Sequence, residues 1–75
     1  MNTTLIIEKD NAAVVITAQL EDDGELKVWA NLWVNTRGQI KNNCLYDGDI
    51  TLRRWEGKTV KGAKNWANKV LEIKP

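Results

Sequence analysis

The sequence predicts an α+β domain: an antiparallel β-meander of four to five strands followed by one C-terminal α-helix packed on one sheet face. Three observations carry this. Turn-forming residues divide the first part of the chain at short intervals, and the runs between them alternate with period two. After Gly57 the apolar spacing changes to that of a helix. The 75 residues are read as a single small domain spanning 1–75.

The elements follow in order. Asp10-Asn11 predicts a two-residue hairpin turn, and Asp22-Asp23-Gly24 and Thr36-Arg37-Gly38 predict three-residue turns with Gly in the left-handed place. Asp47-Gly48-Asp49 predicts a fourth turn. Strands are thus expected at about 4–9, 12–21, 25–35, 39–46 and 50–55. Closing Lys9 on Ala12 sets Ile7 opposite Val14 and Leu5 opposite Ile16. Closing Glu21 on Glu25 sets Ala18 opposite Val28 and Ile16 opposite Ala30. Closing Asn35 on Gln39 sets Val34 opposite Ile40 and Ala30 opposite Cys44, and Cys44 in turn would face Leu52. These registers gather the aliphatic residues on one face, with Asn42 the misfit. Thr59 is the expected N-cap of a helix over about 60–72, whose stripe of Val60, Ala63, Ala67, Val70 and Leu71 closes the core.

Composition excludes several functions. Histidine is absent and there is one cysteine, so no Ser-His-Asp triad, imidazole zinc site or internal disulfide can form. Asp22-Asp23 and Asp47-Gly48-Asp49 lie in turns, where Asp is favoured for backbone reasons, and neither completes a metal-ligand set. Gly57-Lys58-Thr59 ends like a phosphate-binding P-loop, but that motif requires Gly where Leu52 stands. No catalytic residue, metal site or cofactor is therefore expected, and the chain reads as a non-enzyme. No apolar run is long enough to span a bilayer, and Met1 to Thr4 does not open a signal peptide; no membrane association and a cytoplasmic location are the expectations.

The formal charge is +1, but it is unevenly spread. Residues 1–25 carry six acidic groups against Lys9 alone, whereas residues 26–75 carry ten basic groups against four acidic ones. Such a split can steer an anionic partner or draw the two halves together.

The same registers predict what the helix leaves uncovered. That face reads Thr4, Ile6, Glu8; Ala13, Val15, Thr17, Gln19; Lys27, Trp29, Asn31, Trp33; Lys41, Asn43, Leu45; and Thr51, Arg53, Trp55. Three of the four tryptophans would share it with Lys27, Lys41, Arg53 and two asparagines. An uncovered aromatic patch marks a binding surface. Flat rings alternating with cations suit single-stranded nucleic acid, with Trp29, Trp33 and Trp55 stacking bases and Lys27, Lys41, Arg53 and Lys58 meeting phosphates. Asn31 and Asn43 would read base edges. Trp and Arg are equally the favoured anchors of protein contacts, so the alternative is a protein–protein interaction module, a homodimer or a small inhibitor or adaptor, using the same face. A charge of +1 is low for a salt-driven nucleic-acid binder.

Overall fold

The computed structural model describes residues 2–38 and 40–73. Strands β1 (Asn2–Lys9), β2 (Ala12–Leu20) and β3 (Leu26–Val34) are followed by two short strands, β4 (Ile40–Lys41) and β5 (Cys44–Leu45), then by β6 (Asp49–Gly57) and helix α1 (Val60–Val70). The fold is the expected α+β class. One antiparallel sheet has the order β1-β2-β3-β6, β4 and β5 form a separate ribbon, and α1 packs on one face of the main sheet.

The first two hairpins form in the predicted registers. Lys9 pairs with Ala12, Leu5 with Ile16, Ile16 with Ala30 and Val14 with Leu32. Short loops leave no room for slippage: Asp10 takes a φ of 56° in the first turn, and Gly24 takes 84° in the second. Glu21 N–H donates to the Glu25 carbonyl at 2.8 Å, closing the second hairpin on the expected pair.

The second half departs from expectation. Within the strand expected at 39–46, the described residues 40–46 do not pair with β3. Asn42 and Asn43, at φ 51° and 57°, are instead the two central residues of a tight turn between β4 and β5. Two successive left-handed residues fit a type I′ hairpin turn, and asparagine tolerates that conformation better than most side chains. Gln39, the expected closing partner of Asn35, lies outside the described residues. Val34 pairs with Asp49 rather than with Ile40, so β6 takes the place beside β3. Cys44, expected in the core beside Ala30, is exposed.

The core lies between α1 and the sheet. Val14, Ile16, Ala18, Val28, Ala30 and Leu32 meet Ala63, Ala67 and Leu71, with Trp55, Val60 and Trp66 half-buried around them. Thr59 caps α1 as expected, its hydroxyl accepting from Gly62 N–H at 3.0 Å. The helix ends at Val70, two residues before the expected end. Glu72 adopts a φ of 57°, its N–H donates to the Lys69 carbonyl at 3.2 Å, and Ile73 N–H donates to the Asn68 carbonyl at 2.8 Å. That pair of bonds is a Schellman cap with Glu in the place usually taken by Gly. Among the described residues no helix is long and apolar enough to cross a membrane.

Candidate binding face

The side of the sheet turned away from α1 carries three rows that cross all four strands. Thr4, Thr17, Trp29 and Glu56 stand in register; so do Ile6, Val15, Asn31 and Arg54, and so do Glu8, Ala13, Trp33 and Ile50. Trp29, Asn31 and Trp33 are half-buried, and Ala13, the smallest side chain in its row, is fully shielded. Trp29 and Trp33 flank Asn31 on one strand, as expected, with Lys27 beyond them.

The remaining predicted site residues are elsewhere. Asn31 pairs with Arg54 and Trp33 with Ile50, so residues 51–53 bulge opposite Leu32 alone. Trp55 pairs with Ala30, which points it to the helix side, where it packs against the core. Its indole fits because two glycines stand against it. A Cβ built on Gly62 would lie 2.8 Å from Trp55 Cζ2, and one on Gly57 would lie 2.6 Å from the same atom. Arg53 is exposed in the bulge, its N–H donating to Thr51 Oγ1 at 3.1 Å, and the cation that β6 places on the open face is its neighbour Arg54. Lys41 and Asn43 belong to the separate β4–β5 ribbon and not to the sheet that carries Trp29 and Trp33. Lys58 is exposed just before α1, with its Nζ 3.8 Å from Glu25.

A one-residue difference in the phase of β6 explains the exchange of Arg53 and Trp55 for Arg54 and Glu56. The even phase puts Ile50 and Leu52 outside, against the ordinary preference of aliphatic residues for the interior. Those two are indeed exposed, at 57% and 103% of their reference area. The signal that could have fixed the phase is the glycine pair, since a Gly within a helix and a Gly at a strand end can both admit one large ring.

Charge on the face is balanced. Lys27 pairs with Glu21 at 3.3 Å and Arg54 with Glu56 at 2.8 Å. With Gln19 and Trp29 these four groups line a groove of about 470 Å³ at one end of the face. At the other end Ala13, Trp33 and the exposed Ile50 stand side by side, with Glu8 closing the row on β1 and the exposed Leu52 in the bulge that follows Ile50. Beyond the face, Arg37 pairs with Asp47, linking the turn after β3 to the turn before β6. That hydrogen bond holds the Asp47 carboxyl below its ordinary pKa and raises that of Arg37.

Fold and face together define an α+β domain whose helix covers one surface of the main sheet and not the other. Compared with protein-family models, curated proteins and solved structures, the chain matches none of them.

Proposed function

We propose that this protein is a small non-enzymatic binding domain whose open sheet face docks on a protein partner. The observation that carries this reading is the exposure of Ile50, the cross-strand partner of the half-buried Trp33, and of Leu52 in the adjoining bulge. Branched aliphatic side chains gain by meeting an apolar surface, and a tryptophan among them is the usual anchor of a protein contact. Phosphates would need free cations, whereas Lys27 and Arg54 each have a carboxylate partner.

One observation favours single-stranded nucleic acid as a second reading. Trp29 and Trp33 stand four residues apart on one strand, roughly 13 Å, with Asn31 between them, an arrangement that offers two stacking rings and an amide to an extended strand.

A photo-crosslinking amino acid placed at Ile50 in producing cells separates the two. Discrete protein adducts that vanish in a Trp33→Ala, Leu52→Asp background are expected. Adducts to nucleic acid alone, or none, would overturn the protein reading. Salt-sensitive quenching of tryptophan fluorescence by a mixed single-stranded oligonucleotide would favour the second.

A further inference from the structure

We infer that β1 is a pairing edge for a second copy of this chain, joining two four-stranded sheets into one. The surface is separate from the Trp-bearing face and does not depend on what that face binds.

The sheet has two edges, β1 and β6, and they differ in protection. β6 is bulged and carries Asp49, Arg53, Arg54 and Glu56, devices that discourage strand addition. β1 is regular over eight residues, and Asn2 to Ile7 contains no charge, proline or glycine. It is also uncovered, because α1 packs chiefly on β2, β3 and β6. Leu5 and Ile7, on the helix side of β1, are only half-buried in consequence.

The free hydrogen-bonding groups can be assigned. Glu21 N–H bonds to the Glu25 carbonyl, so alternation along the ladder makes odd-numbered residues of β2 bond to β3. Even-numbered residues of β2 then face β1, where Ile16 meets Leu5 and Val14 meets Ile7. Asn2, Thr4, Ile6 and Glu8 are left with N–H and C=O groups pointing outward.

That pattern is self-complementary. An antiparallel pairing about a two-fold axis at Ile6 sets Thr4 against the second copy's Glu8, with both residues offering outward groups. It also sets Leu5 against the second copy's Ile7 on the helix side and brings no like charges together. The two partly covered apolar pairs thus cover each other, and the open faces become continuous. A single extended peptide could use the backbone groups, whereas a second copy brings its own Ile7 and Leu5 into register with Leu5 and Ile7 by symmetry.

Sedimentation equilibrium of the full chain and amide hydrogen exchange at two concentrations test this. The mass is expected near twice 8.5 kDa, and the Thr4, Ile6 and Glu8 amides are expected to gain protection as concentration rises. Thr4→Pro removes an outward donor without touching the bonds to β2, and should return the mass to one copy. Trp29→Ala with Trp33→Ala should keep the double mass. A single-copy mass for the unmodified chain, a mass above two copies, or a double mass with unprotected even-numbered amides would each overturn the inference. So would a double mass that survives Thr4→Pro but is lost with the two tryptophans. Should Thr4→Pro fail to fold, exchange on the unmodified chain still decides.

Discussion

Replacing Gly62 by Ala sets two effects of known direction against each other. In an exposed helix interior the change stabilises by about 1 kcal/mol, because alanine loses less backbone freedom on folding. Here the added Cβ would lie 2.8 Å from Trp55 Cζ2 and 3.1 Å from Cη2, against an ordinary carbon separation of roughly 3.5–4.0 Å. It would also lie 3.0 Å from Thr59 Oγ1, the capping oxygen. Trp55 cannot yield toward Gly57, whose own backbone lies under the same ring edge. Overpacking costs about 1–3 kcal/mol, and a disturbed cap up to about 1 more. Gly62→Ala should therefore destabilise by about 1–2 kcal/mol, lowering Tm by roughly 4–8 °C for each kcal/mol in a domain of this size. Urea unfolding followed by circular dichroism measures the change. In a Trp55→Leu background the clash disappears, and Gly62→Ala should turn neutral or stabilising. A higher urea midpoint for Gly62→Ala alone, or an equal loss in both backgrounds, would refute the packing argument.

Three further outcomes are expected. Trp55→Ala should cost about 2–4 kcal/mol by leaving a gap between sheet and helix, whereas Trp29→Ala should cost less and act on binding; paired urea and crosslinking measurements check the division. Glu72→Gly should raise stability by about 0.5–1 kcal/mol, since glycine holds the left-handed place in a Schellman cap without a Cβ penalty, as a shifted urea midpoint would show. Acidification should loosen the Arg37–Asp47 link: the Asp47 pKa is lowered in the folded chain, so its contribution is present above the ordinary carboxylate range and is lost as pH falls through the lowered value. The protection of the Gly48 amide relative to its intrinsic exchange rate at each pH, its N–H donating to Asp47 Oδ1 at 2.9 Å, should fall there while that of the sheet amides holds.

The limits of the sequence reading follow from loop length. Through Val34 each strand is tied to the next by a loop too short to permit more than one register, and every predicted pair from Lys9–Ala12 to Ile16–Ala30 forms. After Gly38 the chain makes an excursion before returning at Asp49, and a long connection does not constrain the phase of the strand that follows. Asn42 marked the failure, because a polar residue aimed at the core contradicts a strand, and Asn42-Asn43 is itself turn chemistry. Reading that dipeptide as a turn frees β6 to pair with β3, but the choice between its two phases still rests on tertiary contacts. Trp55 belongs inside only because Gly57 and Gly62 leave space for its ring.

The consequence for function is larger than the one-residue error that causes it. With Trp55 outward, the face would present three rings and a run of cations suited to a nucleic-acid strand. With Trp55 inward, it presents two half-buried rings, two cations with carboxylate partners, and exposed Ile50 and Leu52. Aliphatic side chains add nothing to phosphate recognition and much to an apolar contact, so the phase of β6 moves the balance toward a protein partner. The phase can be checked without knowing that partner. With the exposed Cys44 first replaced by Ser, cysteine labelling of Leu52→Cys should be fast and of Trp55→Cys slow in the folded chain, and the reverse order would restore the three-tryptophan face and with it the nucleic-acid reading.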